Sequence, residues 1–288
     1  MAPAGGSRPL PAALSAVLPR LRCPVCGQPL TARERTLTCP AGHAVDVARQ
    51  GYVNLAVGAG AHPGDGPAMV AAREAFLGAG HYAPVSAALA AAAAAEPGTG
   101  LVVDVGGGTG HHLAVVLDAL PGAAGVCVDT SVPALRRAAR AHPRAAAVGA
   151  DAWRGLPLAD ACADAVLTVF APRGAAEVAR VLRPGGRWLV VTPRPEHLAE
   201  LRGPLGTLAV DPRKDERLAA DLAAFEVLGH EDVTVVRDLD HAALRALVGM
   251  GPSAHHLSAD EVAARAADLP DPTPVTVAVR LTTARRPG

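Results

Sequence analysis

Four side chains near the start of the chain have the types and spacing of a metal site. Cys23 and Cys26 are separated by two residues, Cys39 follows after twelve more, and His43 after a further three. Zinc takes four nitrogen or sulfur ligands in a tetrahedron, and two ligands two residues apart fit one tight knuckle turn. Gly27 and Gly42 stand where such knuckles need a backbone conformation that other residues resist. The alternatives are unligated thiols or a redox Cys-x-x-Cys pair, but a redox pair has no use for a second ligand pair at this distance. With four ligands engaged, no coordination position stays open. The metal would then be structural and would supply folding energy to a segment with few large hydrophobes. Cys127, in an apolar run, and Cys162, near a turn, read as ordinary thiols.

A second constellation follows the apolar run Leu101–Val105: Gly106-Gly107-Gly108-Thr109-Gly110, leading into a helical pattern. Glycines let a backbone turn tightly and approach a ligand, and a helix N-terminus offers free N–H groups. The dinucleotide fingerprint G-x-G-x-x-G fails at its third position, His111, and the phosphate loop fails because no Lys follows. The pattern present is D-x-G-x-G-x-G, formed by Asp104, Gly106, Gly108 and Gly110. It resembles the first motif of S-adenosylmethionine-dependent methyltransferases built on a doubly wound sheet. Asp129 ends the next apolar run, where an acid can accept both ribose hydroxyls. Asp151 follows the third run, where such enzymes place an acid near the adenine amine. Leu182-Arg183-Pro184-Gly185-Gly186 reads as the turn before the fifth strand. Each of these residues alone also fits a cap or a turn.

The elements that must hold these residues alternate. Strand-like runs at 101–105, 125–129, 145–150, 164–170 and 187–192 are separated by helical patterns at 111–120, 133–142 and 175–182. Such alternation predicts an α/β, Rossmann-like sheet of parallel βαβ units with helices on both faces. Two β-rich runs, 232–239 and 274–282, close the chain with a helical segment between them. Upstream, Met69 to about Glu96 is helical and Ala-rich, interrupted at 78–80 and at Pro84 and ended by Pro97-Gly98. The chain divides into a flexible N-terminus (1–18), a zinc-ribbon-like module (19–57), a linker and helical segment (58–100) and a methyltransferase domain (101–288).

Composition limits the function. Of 288 residues half are hydrophobic, too many for a disordered chain. An odd five cysteines, three of them within the first 39 residues, do not form a secreted disulfide framework. No convincing signal-peptide cleavage site follows the apolar stretch 10–18, and the longest uniform apolar run, Val85–Ala95, is too short to span a bilayer. These features predict a cytoplasmic protein with no membrane contact. The 27 basic and 27 acidic residues cancel, yet residues 1–60 hold six arginines against Glu34 and Asp46. A basic rim around a zinc module suits nucleic acid, although scattered solvated arginines would read the same way.

The combination resembles the 23S rRNA guanine-N1 methyltransferases, a family that includes macrolide (tylosin-type) resistance enzymes of actinobacteria. The resemblance runs from about Leu21 to the end. It is carried by the Cys23/Cys26/Cys39/His43 pattern, the stretch 46–55 with Gly51-Tyr52-Val53-Asn54-Leu55, Met69 to Arg73, and Gly80-His81-Tyr82. It continues with the glycine loop, Phe170-Ala171-Pro172, Thr192-Pro193 and His197-Leu198. The loop ending His111-His112 and the stretch Gly249-Met250-Gly251-Pro252-Ser253 look closest to the tylosin-resistance branch. The resemblance implies zinc at the four ligands, a module that helps hold an rRNA stem-loop in domain II, and a homodimer. It also implies S-adenosylmethionine contacts at Tyr82, Gly108, Thr109 and His197, beside Gly106, Asp129 and Asp151 of the motif reading.

Relatives that methylate amino groups hold their target with an Asn/Asp-Pro-Pro-aromatic motif. Here the loop reads Phe170-Ala171-Pro172-Arg173, without amide or carboxylate, which suits a ring nitrogen and leaves the general base unidentified. Phe170 and Pro172 are expected to wall the guanine pocket, with Arg173 aiding phosphate or base contact. A small-molecule methyltransferase of antibiotic biosynthesis would explain the glycine loop but leave the zinc module idle. A zinc-bearing RNA-binding protein without catalysis conflicts with the intact 104–110 loop.

Overall fold

A computed structural model describes residues 9–56, 62, 64–96, 98, 100–207, 211, 213–251 and 256–288. Residues 1–8, half of the 58–67 linker, the Pro97 stop and Pro252-Ser253 lie outside the described residues. The chain opens with α1 (Ala12–Val17), within the stretch 1–18 that the sequence predicts as a flexible N-terminus. Its Leu14 and Val17 are buried against the central sheet, which is why the segment is ordered. Three short strands follow, β1 (Thr31–Arg33), β2 (Thr36–Thr38) and β3 (Ala44–Asp46), paired antiparallel in that order. β4 (Val53–Asn54) leaves this small sheet and pairs, parallel, with the main one.

Two helices bracket the Gly78–Gly80 break, α2 (Pro67–Gly78) and α3 (Ala83–Ala94). Pro84 sits in the first turn of α3 rather than interrupting it, where its missing N–H is unneeded. The alternating region forms β5 (Leu101–Val105), α4 (His111–Ala119), β6 (Ala124–Asp129), α5 (Val132–Ala138) and β7 (Ala145–Gly149). It continues as β8 (Ala163–Val169), α6 (Ala175–Val181) and β9 (Leu182–Pro193). The Arg183–Gly186 turn lies inside β9, because Leu182 already pairs with Ala163 before the register shifts to Arg187 opposite Ala165. α7 (Lys214–Asp221), β10 (Glu226–Leu239), α8 (His241–Gly249), α9 (Ala259–Ala267) and β11 (Thr273–Arg285) complete the order.

The main sheet has eight strands in the order β10-β11-β9-β8-β5-β6-β7-β4. β4 to β9 are parallel, while β11 and β10 add antiparallel at one edge. β5 is buried throughout, so it reads as a continuous apolar run rather than an alternating one. Its side chains alternate between two cores. Val102 joins one with α3, α4 and α8, whereas Leu101, Val103 and Val105 join the other with α1, α6 and Trp188. That second core also takes Leu21, Leu30, Leu37 and Val47, so the zinc module shares its packing with the sheet. The chain runs outward on both sides from β5. A ligand crevice therefore forms at the carboxyl ends of β5 and β8, where the order reverses. No helix among the described residues is long and apolar enough to cross a membrane.

Candidate active site and metal centre

The four metal-ligating candidates converge, their ligand atoms all within 4.8 Å of one another. Cys23 Sγ lies 3.6 Å from His43 Nδ1, Cys26 Sγ 3.6 Å from Cys39 Sγ, and Cys39 Sγ 3.4 Å from His43 Nδ1. A zinc tetrahedron with bonds of about 2.0–2.3 Å has edges of roughly 3.5–3.8 Å, so the donor set fits the ion. Each knuckle turns on a glycine in the left-handed region. The Gly27 N–H donates to the Cys23 carbonyl and the Gly42 N–H to the Cys39 carbonyl, with φ of +70° and +84°. Cys127 is buried in β6 and Cys162 is half-buried, both outside this cluster.

The glycine loop crosses from β5 to α4 over a cleft of about 270 Å³ lined by Gly106, Gly108, Asp129, Asp151, Phe170 and Pro172 among others. A Cβ on Gly106 would stand 2.6 Å from the Ala171 Cβ, at a φ of +68° that side chains resist. A Cβ on Gly107 would meet Asp104 Oδ2 and Cys127 Sγ at 2.7 Å. Asp129 braces the loop, with Oδ2 accepting from the Gly108 N–H and Oδ1 from the Ser131 N–H, each at 2.8 Å. Asp151 lies further along the cleft, accepting from the Trp153 N–H at 3.0 Å and standing 2.9 Å from His62 Nδ1. Thr109 is buried in the loop and lines neither the cleft nor the pocket beside it.

Tyr82, Phe170 and His197 pack against one another beside the inner pocket that Tyr82 and Phe170 line. The Phe170 ring stacks on His197 at 5.7 Å and lies 5.8 Å from Tyr82. Phe170 takes a φ of 52°, a strained conformation for a bulky residue, and it keeps 40% of its surface exposed. His197 Nδ1 accepts the Ala278 N–H, which leaves the ring proton on Nε2, 3.2 Å from the Tyr82 oxygen. Burial, helped by Lys214 and Arg202, lowers His197 to about 4, so it stays neutral, and burial raises Tyr82. Arg173 departs from this group. Its Nε donates to Asp221 of α7 at 2.7 Å, and it lines the neighbouring groove with Lys214 and Arg217 instead of the cleft.

Residues 21–56 match the zinc-ribbon family described as RlmA, N-terminal, and residues 102–186 match the family described as methyltransferase domain. A Streptomyces fradiae protein named 23S rRNA (guanine(748)-N(1))-methyltransferase is 52% identical, over 92% of this chain and 96% of its own length. The chain belongs to the 23S rRNA (guanine-N1)-methyltransferase family. A Micromonospora griseorubida protein, provisionally named with the same activity, is 54% identical over 92% of this chain and 97% of its own. A chain of the solved Haloferax volcanii complex, between the Trm112 methyltransferase activator and a provisionally assigned methyltransferase, shares the fold. Its TM-score is 0.50 at 19% identity, covering 79% of this chain and all of that one.

Members of this family on a methyltransferase fold take S-adenosylmethionine, and the cleft fits it. Asp104 is 1% exposed, and neither of its carboxylate oxygens has a hydrogen-bond partner among the described residues. It lines a small inner pocket with Arg73, Tyr82, Gly106 and Phe170. An unpaired buried carboxyl is costly unless something satisfies it, and the cofactor's α-ammonium has the matching charge. Burial, with the nearby Asp129 charge, pushes Asp104 up to about 7 from an ordinary 3.8. A folded value above the unfolded one means that stability is lost as pH rises from about 4 through 7, by up to roughly 4 kcal/mol. Urea midpoints at pH 5 and pH 8 should therefore fall further for the cofactor-free wild type than for Asp104→Asn. Equal falls would show that Asp104 is ionised throughout.

Sequence reasoning assigned no role to His62, Asp65, Arg73 or Trp153, all of which line the cleft. The Asp65 carbonyl accepts from Ser131 Oγ at 2.6 Å, which seats the segment read as a linker against the site. Asp65 and Arg73 stand eight residues apart and form an ion pair, a signal present in the sequence but hidden in a Gly/Pro-rich stretch.

Proposed function

We propose that this chain transfers the methyl group of S-adenosylmethionine to N1 of a guanine in a domain II stem-loop of 23S rRNA. It acts in the cytoplasm and confers macrolide resistance of the tylosin type. The observation that carries the reading is the near end-to-end match to the Streptomyces fradiae relative, whose name specifies N1 of guanine 748. Residues 19–57 form the RNA-recognition module and 101–288 the methyl-transfer domain, joined by 58–100. A groove of about 640 Å³ between the Cys23 knuckle and the 154–160 loop, walled by Arg22, Arg154 and Arg180 as well as Asp151, Asp160 and Glu177, is the surface assigned to the RNA stem. The outer edge of β10, where Val227, Leu228 and Val236 are exposed, is a surface for a second copy of the chain.

Bound S-adenosylmethionine supplies an electrophilic methyl on a sulfonium. Around it, Asp129 and Asp151 would hold the nucleoside, Gly106 and Gly108 would give backbone approach with Thr109 buried behind them in the loop, and Tyr82 and His197 would close the far side. Phe170 and Pro172 would wall the guanine and orient N1, whose proton must pass to a base or to water as the methyl is transferred. Arg173 steers backbone phosphate from the groove next door. A splayed guanine stacks on the exposed Phe170 ring, an interaction worth about 1–3 kcal/mol per base. Phe170→Ala should lower the methylation rate on rRNA about tenfold or more, a larger loss than in cofactor affinity. Full methylation by this variant would remove Phe170 from the pocket.

Primer extension on 23S rRNA from cells with and without the gene tests the activity, because N1 methylation blocks Watson–Crick pairing and stops reverse transcriptase. A gene-dependent stop in the domain II stem-loop is expected. Its absence would favour a small-molecule substrate.

A further inference from the structure

Arg73, on α2, lines both the cofactor cleft and the inner pocket that holds Asp104. Its Cδ and Nε lie 3.4 and 3.7 Å from where a Cβ on Gly108 would stand, so the side chain lies along the glycine loop. Nη2 is committed, donating to Asp65 and to the Met250 carbonyl. Nε is buried and has no partner among the described residues. Asp104 presents two further orphaned atoms to the same pocket, yet no ion pair joins it to Arg73. A half-buried cation with a buried, unpaired Nε and a fully buried acid share this pocket, and their unmet donor and acceptors suit a ligand carrying both charges. An α-amino acid end is such a ligand, its carboxylate matching the guanidinium and its ammonium matching the carboxyl.

We propose that Arg73 binds the α-carboxylate of the cofactor's methionyl end and so makes the site selective for cofactors that carry it. The assignment rests on S-adenosylmethionine as the cofactor. In the cofactor-free chain, Asp65 and Met250 hold the guanidinium over the loop. On binding, the carboxylate takes the unpaired Nε–H, with Asp104 facing the ammonium. Arg73 thereby fixes the methionyl arm and, through it, the direction in which the methyl points.

The test measures equilibrium binding to the purified full-length protein. The ligands are S-adenosylmethionine, its decarboxylated form, and 5′-methylthioadenosine, which lacks the amino acid end altogether. Wild type should bind S-adenosylmethionine about tenfold or more tighter than the decarboxylated form, the preference expected of a charge-assisted hydrogen bond. Arg73→Met should reduce that preference to within about twofold and leave 5′-methylthioadenosine affinity unchanged, while Arg73→Lys should restore part of it. Equal wild-type affinity for the two cofactor forms would overturn the proposal without recourse to any variant. So would an Arg73→Met variant that weakens 5′-methylthioadenosine as much as S-adenosylmethionine, since that pattern belongs to a purely structural arginine. Failure of wild type to bind any of the three would instead remove the cofactor assignment itself.

Discussion

Replacing Cys39 with serine, or stripping zinc with a chelator, should abolish methylation of rRNA and lower the melting temperature of the chain. Cys39 contributes one of four donors whose atoms lie within 4.8 Å of one another, and β1 to β3 are three residues each. Strands that short hold their shape only when something clamps them, and structural zinc supplies about 10–16 kcal/mol in isolated finger peptides. The loss does not stay local. Leu21, Leu30, Leu37 and Val47 lie in the same core as Trp188 and Val103 of the main sheet. Circular dichroism melts with and without chelator, beside zinc content by elemental analysis, check the expectation. An unchanged melt after complete zinc loss would make the metal dispensable. The same packing predicts that deletion of residues 1–60 would remove α1 and β4 and expose the sheet they cover. RNA affinity is therefore better probed by neutralising arginines of the intact module, which should flatten its salt dependence.

Gly106→Ala should remove cofactor binding while leaving zinc content at one ion per chain. The new methyl group would stand 2.6 Å from the Ala171 Cβ, a backbone-anchored atom that cannot swing aside, at a φ of +68°. Overpacking and the left-handed conformation together cost roughly 2–5 kcal/mol. The loop relieves that strain by moving away from β8, so the loss falls on the cleft. Calorimetric affinity for S-adenosylhomocysteine should drop by about two orders of magnitude. Retained affinity would show that the loop does not form the cofactor floor.

The metal centre was legible because Cys23, Cys26, Cys39 and His43 sit at fixed short intervals, and two knuckle turns leave few ways to arrange them. The glycine loop was legible for a similar reason, since Asp104 to Gly110 join one buried strand to one helix without a break. Features set by distant packing were not. β4 is two residues long and carries no periodicity, so its pairing with β7 could not be read from the chain. α1 is six residues between prolines and is ordered by burial of Leu14 and Val17 against the sheet. Phe170 looked like the end of a strand, yet its φ of 52° turns it out of β8 toward Tyr82 and His197. Arg173 stands near the site, yet Asp221, 48 positions later, holds it in the adjoining groove and not in the cleft. Each of these features is set by elements far away in sequence.

This fold delivers a methyl group to guanine N1 in rRNA. Purified protein incubated with a domain II transcript and S-adenosylmethionine, followed by nuclease digestion and mass spectrometry of the nucleosides, tests it most directly. The predicted product is 1-methylguanosine at one residue per transcript, absent from the Gly106→Ala and Cys39→Ser reactions. Methylation at another atom or base, or none on RNA while a small-molecule acceptor is methylated, would contradict it.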